Sequence, residues 1–447
     1  MSFKMSFAGC RTPAVACAAF AVFAFSARAG WEDAAWKSVR ERFYVPAMHL
    51  IYDYRVDGAE DGLVRCLPTA DEIRDGFPNP CGWGTGMEDS VLCGGPMLLA
   101  AMRRWEVTGD AEAADFAHEL LKGLFTCAEI SGVRGFLARS ISPRDGKSFY
   151  TNSSRDQYTL FVYALWRFRA SRLATPAERA KIEKLLVDVA VYCEKCVTPE
   201  NGYMLLRSDG GRSLVCCMWA DDPEEKQPDG GLEPHEVTRL VMFYAAAYAV
   251  SGDRHWRDME LRYADKAIRV ARTWKTKCRG FVNGFALFQT QCARRLLWER
   301  ESDAARKEAY LEILRDGADM AAFCDRNMDE SAKAIGGDMY PSGTDWRKRM
   351  MWYMTPFWRF GPSVPIGGIR YLMPQKCDHE HHAYRLAGEM PESVLNVMLC
   401  PGREVPPESS RRFDEFFSKF DFSRFNRPKA AIHALLVYWA TRAGVGL

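Results

Sequence analysis

The feature that most constrains the fold is an alternation of two kinds of helical segment along most of the chain. A nearly all-apolar segment is followed by a short turn and then by a segment with a single apolar stripe. The first copy reads SVLCGGPMLLAAMRRWEV, TGD, AEAADFAHELLKGLFTCAEI, and similar apolar segments recur at DQYTLFVYALWRFRAS, VTRLVMFYAAAYAV and NGFALFQTQCARRLLWE. A helix that is apolar on every side must be buried, whereas an amphipathic helix covers a core from outside. The alternation therefore predicts an (α/α) toroid, a ring of helical hairpins with the apolar helices inside.

Residues 1–29 do not share this pattern. Lys4 and Arg11 precede the apolar stretch TPAVACAAFAVFAF, and an A-x-A cleavage site ends at Ala29, which is the layout of a secretory signal peptide. The apolar stretch is too short to span a bilayer, and no later segment approaches the roughly 20 apolar residues that a span requires. We expect cleavage after Ala29, export to the periplasm or the extracellular space, and a single toroid domain over residues 30–447.

Charge and cysteine content exclude several classes of protein. The chain has 60 basic and 58 acidic residues, so it lacks the basic footprint of a nucleic-acid binder. Cys193 and Cys196 are three residues apart in a helical pattern, which places their Cβ atoms roughly 5–6 Å apart, too far for a relaxed disulfide. No further pair of well-spaced zinc ligands accompanies them. We expect mostly buried thiols.

The loops between hairpins are much longer than the turns inside them. They include GFLARSISPRDGKSFYTNSS, residues 199–236 and residues 325–390. Each leads into the N-terminal end of an inner helix. Long loops in a compact domain usually serve a site, so the sequence predicts a cleft at this end of the ring.

Two successive inner helices begin with carboxylates. The stretch SRDQ fits an S-x-x-Q capping box that begins at Ser154 and places Asp156 in the first helical turn. The stretch TGME fits a T-x-x-E box from Thr85 to Glu88, followed by Asp89. The helix dipole favours an acid there by about 0.3–1 kcal/mol, which would explain one such helix. Two consecutive ones after glycine-rich loops favour a catalytic role.

With GMEDS, SRDQY and the GD turns, the hairpin pattern resembles the six-hairpin glycosidase superfamily, particularly unsaturated glucuronyl hydrolases and related secreted bacterial enzymes that degrade polysaccharides. This resemblance covers most of the chain after residue 29. It implies an all-α, (α/α)6-type toroid with long loops at one end. It also implies catalytic carboxylates at the starts of neighbouring inner helices, here Asp156 with Asp89 or Glu88. Glycoside hydrolysis needs one carboxylic acid and one base or nucleophile, and we assign the base role to Asp156, beside Arg155, and the acid role to Glu88 or Asp89.

Other residues are expected to bind the substrate. Sugar rings stack on indole, so loop tryptophans suit a carbohydrate cleft. Cationic loop residues, including Arg155 and Arg347, hint at an acidic sugar. The His379–His382 stretch could supply metal ligands or a histidine that reaches into the cleft, but no distant ligand partner is visible, so we predict neither metal nor cofactor. The predicted substrate-binding residues are Trp83, Arg155, Gln157, Trp219, His235, Trp352, His379 and His381.

Three functions fit these features. The first is a secreted glycoside hydrolase acting on a polysaccharide or oligosaccharide, including one that contains uronate. The second is a polysaccharide lyase on the same ring, in which a histidine or tyrosine abstracts the proton beside a uronate carboxylate. The third is a toroid that binds glycan without catalysis, because fold does not fix function. In each case the expected partner is carbohydrate, with neither nucleic acid nor a membrane span.

Overall fold

The computed structural model describes residues 30–54, 56, 67–220, 236–273, 284–325, 345–348, 350–355, 369–374, 378–425, 427–444 and 447. At 214–215, 322–325, 353–355, 369, 378–386 and 424 the description is limited to the backbone. The helices in these ranges are α1 Trp31–Arg42, α2 Ala70–Arg74, α3 Ser90–Thr108, α4 Ala111–Glu129, α5 Arg155–Ala170, α6 Pro176–Cys196, α7 Thr238–Ser251, α8 Arg254–Arg272, α9 Gly284–Arg300, α10 Ala304–Asp325, α11 Asp378–Met398, α12 Pro407–Phe417 and α13 Lys429–Ala443.

The odd-numbered helices from α3 to α13 form a closed inner ring. Helix α3 packs against α5, α5 against α7 and α9, α7 against α9, α9 against α11, α11 against α13, and α13 again against α3. Helices α4, α6, α8 and α10 pack outside, each against the inner helix that precedes it. The predicted all-α toroid is therefore confirmed, with six inner helices among the described residues.

The last outer position is filled from the two ends of the described chain. Helix α1 packs against α13. The indole of Trp31 lies 5.9 Å from the ring of Phe413 and 5.4 Å from that of Phe417 in α12, and 5.2 Å from that of Tyr438 in α13. The first and last helices of the described chain thus complete the ring together.

Burial follows the sequence pattern. Helix α7 is buried without a break from residue 238 to 247, as expected for a helix that is surrounded by others. Helix α4 instead buries residues spaced three and four apart, which form one stripe along its length: Ala113, Phe116, Ala117, Leu120, Leu121 and Leu124. Inner and outer positions are therefore set by how far apolar residues extend around each helix.

Two GD turns, between α3 and α4 and between α7 and α8, join an inner helix to an outer helix with the same geometry. Gly109 and Gly252 end α3 and α7 in the left-handed conformation, with φ of 71° and 68°, which glycine adopts most easily. Asp110 and Asp253 then cap α4 and α8 by accepting a backbone N–H of the first turn. Each turn therefore joins an inner helix to the outer helix that follows it within two residues.

Strands in the described part of the chain form three antiparallel hairpins. They are β1 Tyr44–Val45 with β2 Leu50–Ile51, β3 Met204–Leu206 with β4 Arg212–Cys217, and β5 Met350–Thr355 with β6 Ile369–Pro374. In the last pair Trp352 is opposite Leu372. Strand β4 packs against α5, and its last residue, Cys217, accepts a hydrogen bond from Arg155 at the start of that helix, so this hairpin belongs to the predicted cleft end.

The described cysteines are thiols, and Cys193 and Cys196 are both buried and unpaired. The expectation for this pair is confirmed. Across the described helices, none is long and apolar enough to cross a membrane.

Candidate active site

The starts of α3 and α5 are joined by one buried side chain, that of Gln157. Its amide nitrogen donates to Asp89 Oδ1 at 2.7 Å and to the Glu88 carbonyl at 3.1 Å. Its amide oxygen accepts from the backbone N–H of Leu92 at 2.9 Å. With both ends of the amide in use, Gln157 fixes the position of one predicted carboxylate relative to the helix that carries another.

The predicted capping box at α5 is half right. Ser154 is the N-cap residue and its hydroxyl accepts from the backbone N–H of Gln157 at 3.4 Å. The Gln157 side chain does not complete the box, because it reaches across to α3.

The predicted T-x-x-E box at α3 is wrong. The helix begins at Ser90, with Asp89 as the N-cap residue. Thr85 donates instead to the Gly82 carbonyl at 2.6 Å, and Glu88 accepts from the backbone N–H of Gly84. The glycines at 82, 84 and 86 all adopt positive φ, so the loop coils back on itself and takes both side chains away from the helix end.

Asp89 is at an N-cap position but makes no capping hydrogen bond. An aspartate there normally stabilises a helix by about 1 kcal/mol through that bond. Its Oδ1 instead accepts from Arg139 Nη2 at 3.0 Å and from Gln157, and 28% of its side chain is exposed. Because the carboxylate is turned from its own helix toward a buried guanidinium, capping does not explain its presence.

Arg139 is a buried cation that binds the Asp89 carboxylate and lies within electrostatic range of the other two predicted carboxylates. Only 4% of its side chain is exposed, and its Nε donates to the Glu88 carbonyl at 2.7 Å. Burial acts to lower the pKa of Arg139, but the charges of Asp89, Glu88 and Asp156 outweigh it and raise that pKa above its ordinary value. Asp89, Glu88 and Asp156 therefore belong to one electrostatic site.

Asp156 is ion-paired to Arg239 of the neighbouring helix α7. Its Oδ1 accepts from Arg239 Nη1 at 2.7 Å; 33% of the Asp156 side chain is exposed, against 1% of Arg239. Glu236 is 3.5 Å from Arg239 and 2.8 Å from Arg155, which also donates to the Cys217 carbonyl at 3.1 Å. Alternating charges thus hold the starts of α5 and α7 together, and Asp156 is the most exposed member of this network.

Glu88 is turned inward. Only 5% of its side chain is exposed. Its carboxylate accepts the Gly84 N–H and lies 3.8 Å from the Arg427 guanidinium. Carboxylate oxygens of Asp53, Glu88 and Asp89 lie within 4.8 Å of one another. Oxygen ligands of this kind suit Mg²⁺ or Ca²⁺, although the Glu88 carboxylate already accepts a backbone hydrogen bond.

A second charged group joins the remaining inner helices. Glu392 of α11 has its Oε1 3.3 Å from Lys429 Nζ and 3.2 Å from His433 Nδ1, both on α13. It also lies beside Gly284, the first residue of α9. Burial lowers the pKa of His433 despite the opposing effect of Glu392. Burial acts to raise the pKa of Glu392, but Lys429 and His433 bring it below its usual value.

Two of the predicted tryptophans lie near the carboxylates or at the rim. Trp83 lies 6.0 Å from the Arg139 guanidinium and 5.4 Å from the ring of Tyr371 on β6. Trp352, on the partner strand β5, is 53% exposed, and the Arg370 guanidinium lies 4.3 Å from its ring. The β5–β6 hairpin therefore presents one aromatic ring near the site and one at the surface.

The other predicted binding residues lie in the charged network, in the outer wall or outside the described part of the chain. Arg155 and Gln157 are in the network, and Trp219 packs edge-on against Tyr263 of α8, in the outer wall. His235 lies outside the described residues, as do the side chains of His379 and His381.

The sequence reasoning missed several charged residues of the site. Arg239 and Lys429 each stand at the start of an otherwise apolar inner helix, where a cation is opposed by the helix dipole. A cation at the start of an apolar helix is therefore a feature of the sequence from which a buried carboxylate partner could have been predicted. Arg139 and Asp53 come from loops, and nothing in their local sequence distinguished them.

No family model matches the chain, and no curated protein matches it. Among solved structures, a sugar epimerase from a ruminal bacterium is similar, with 12% identity and a TM-score of 0.42 over 80% of this chain and 88% of that chain. The GH76A alpha-1,6-mannanase from Salegentibacter sp. HEL1_6 has 11% identity and a TM-score of 0.32 over 66% of this chain and 88% of its own. An inactive variant of that mannanase in complex with alpha-1,6-mannotriose matches over 80% and 97%, with 11% identity and a TM-score of 0.32. Similarity at this level leaves reaction and substrate to be argued from the residues of the chain itself.

Proposed function

We propose that this protein is a carbohydrate-active enzyme, a glycoside hydrolase with Asp156 and Asp89 as its catalytic carboxylates. The observation that carries the proposal is their shared setting. Both are at the start of neighbouring inner helices, both are about one-third exposed, and both are held by side chains that are almost completely buried. A rigid frame with partly accessible carboxylates is what proton transfer at a bound substrate requires.

The contacts support Asp89 over Glu88 as the partner of Asp156. The Glu88 carboxylate is buried and accepts the Gly84 N–H, which leaves it little access to a sugar. Both side-chain hydrogen bonds to Asp89 end on Oδ1. Its Oδ2 is then the oxygen that would carry the proton to the leaving group.

The roles follow from the chemistry of glycosides. One carboxyl group donates a proton to the leaving oxygen, and a second carboxylate activates water or attacks the sugar carbon. We assign proton donation to Asp89. We assign the activation of water, or the attack on the sugar carbon, to Asp156, which lies in the first turn of α5 and is held by Arg239. Arg139, which hydrogen-bonds to Asp89 and interacts electrostatically with Asp156, would stabilise the carboxylate that Asp89 becomes when it gives up its proton.

Contacts of the loop cations bear on the substrate. Arg155 is paired with Glu236, and Arg347 is paired with Glu72 at 2.6 Å and with Asp345 at 3.1 Å. These arginines are therefore already neutralised within the protein, which weakens the case for an acidic sugar. We propose a neutral glycan first and a uronate-containing one second, with Trp83 and Trp352 as stacking surfaces.

A single assay tests the proposal. Purified protein is incubated with neutral and acidic oligosaccharides, and both new reducing ends and ultraviolet absorbance are followed. A hydrolase releases reducing ends alone, whereas a lyase also forms an absorbing unsaturated sugar. Release of reducing ends that is lost in Asp156→Asn and Asp89→Asn but kept in Glu88→Gln is the expected result, and absorbance on a polyuronate would instead establish the lyase.

A further inference from the structure

A pocket separate from the carboxylates opens in the outer wall of the ring and is lined by residues of α6, α7 and α8. Its volume is about 290 Å³. This is close to the lower end of the range for small-molecule sites. Four aromatic and three charged residues contribute to its lining, and the residues used below are Glu194, Tyr203, Trp219, Tyr244, Arg262 and Tyr263.

The floor of this outer pocket is a set of contacting aromatic rings. Trp219 meets Tyr263 edge-on, with ring centroids 4.8 Å apart, and Tyr263 stacks on Tyr244 at 5.9 Å with 16° between the planes. Trp219, Tyr244 and Tyr263 are only 6%, 1% and 8% exposed, so their faces pack within the protein and their edges line the pocket. Together they form a rigid floor whose polar edges suit the hydroxyl groups of a sugar.

Tyr203 takes part at the cost of backbone strain. Its φ is +57°, in the left-handed region that a tyrosine rarely adopts. The conformation is held by hydrogen bonds of its N–H to the Thr198 carbonyl at 2.8 Å and of the Met218 N–H to its own carbonyl at 2.9 Å. Strain of this kind gathers at ligand-binding positions, and here it is carried by an aromatic residue that lines the pocket.

The rim carries groups for hydrogen bonding. Glu194 is paired with His255 at 2.9 Å. Within the described part of the chain Arg262 has no carboxylate partner, and its guanidinium lies 5.5 Å from the ring of Tyr263. An acceptor on one side and a donor fork on the other suit a ligand with many hydroxyl groups and apolar faces.

A short segment connects the outer pocket to the carboxylates. Cys217, two residues before Trp219, accepts a hydrogen bond from Arg155, the neighbour of Asp156. We propose that the outer pocket is a glycan-binding site, which holds one or two sugar residues of a polymer at a distance from the cleaved bond. This inference rests on the proposed function for the identity of the polymer.

The test measures binding apart from turnover. Wild-type protein and variants are run in native gels that contain a soluble mannan, a β-glucan or a polyuronate, and retardation gives an apparent Kd. We expect retardation in at least one gel, weakened about tenfold in Arg262→Ala and in Tyr203→Gly, the scale of losing one aromatic or charged contact. Glycine accepts the backbone conformation at this position, so relief of strain is expected to offset part of the stability lost with the packing of the Tyr203 ring against the core, and the melting temperature of each variant is measured alongside. Arg254→Ala, on the same helix but outside the pocket, is the matched control.

Each outcome separates the two proposals. Reducing-end release is measured on the same samples. If the wild type is retarded, the pocket variants are retarded less and no reducing ends are released, the glycan-binding proposal stands and the hydrolase proposal fails. Absence of retardation in all three gels, or retardation that both pocket variants retain in full, overturns the outer pocket whatever the activity.

Discussion

Replacing Asp156 with asparagine separates catalysis from helix capping and ion pairing. The change keeps the shape of the side chain and an oxygen that can accept from Arg239, but it removes the negative charge. Loss of one partner from a fully buried ion pair costs about 3–5 kcal/mol. Asp156 is one-third exposed, and Glu236 remains 3.5 Å from Arg239, so we expect a loss of only about 1–2 kcal/mol. Turnover should fall at least about a hundredfold, the usual contribution of a proton-transfer group.

The assay compares this variant with Asp253→Asn. Asp253 caps α8 at the turn of its hairpin, and asparagine caps a helix about as well as aspartate. We expect Asp253→Asn to keep both the melting temperature and kcat. Both variants are measured by thermal unfolding and by reducing-end release on the same substrate. Near-normal kcat in Asp156→Asn would refute the catalytic assignment and leave this residue as part of the ion-pair network.

Three further predictions concern the Gln157 bridge, the buried Glu392–His433 pair and the N-terminal segment of the sequence. Gln157→Leu should lower kcat by about tenfold or more with a smaller effect on KM, because it releases Asp89 from α5 and misplaces a reacting group; steady-state kinetics of this variant that match the wild type would contradict the role of the bridge. The free energy of unfolding should fall as the pH drops below 6.5, the ordinary pKa of histidine, because the unfolded chain binds a proton that buried His433 resists. It should fall again below 4.5, the ordinary pKa of glutamate, because the unfolded chain protonates Glu392 before the native protein does. Denaturant titrations from pH 8 to about pH 3 measure both steps, and His433→Gln should flatten the first one. We also propose export with cleavage after Ala29, and mass spectrometry that finds residues 1–29 on the secreted protein would disprove it.

The ring was predictable because its signal is repeated along the chain. Helices that are apolar on all sides, such as α7, leave no arrangement except burial among other helices, and each copy of the hairpin strengthens the same conclusion. The GD turns added a local signal with a clear mechanism, since glycine ends one helix and aspartate begins the next. The placement of Asp89 and Asp156 at one end of the ring followed directly.

The partners of those carboxylates could not be predicted in the same way. Arg139 reaches them from a loop, and the path of a loop depends on packing that no local pattern records. Gln157 fits a capping box in sequence, yet a stronger set of partners on α3 takes its side chain. Local capping rules describe an isolated helix, and here contacts between helices override them.

Closure of the ring by α1 has a consequence for the order in which the molecule can be built. Trp31, near the start of the described chain, packs among Phe413, Phe417 and Tyr438, so nearly the whole polypeptide separates the two sides of this contact. Contacts between such distant positions form late and slowly. While a ribosome is still adding α13, the earlier hairpins can stack only as an open arc. The final gap can be filled only once α13 has been made, and a permuted chain with its ends at a GD turn could close the same circle from a different starting point.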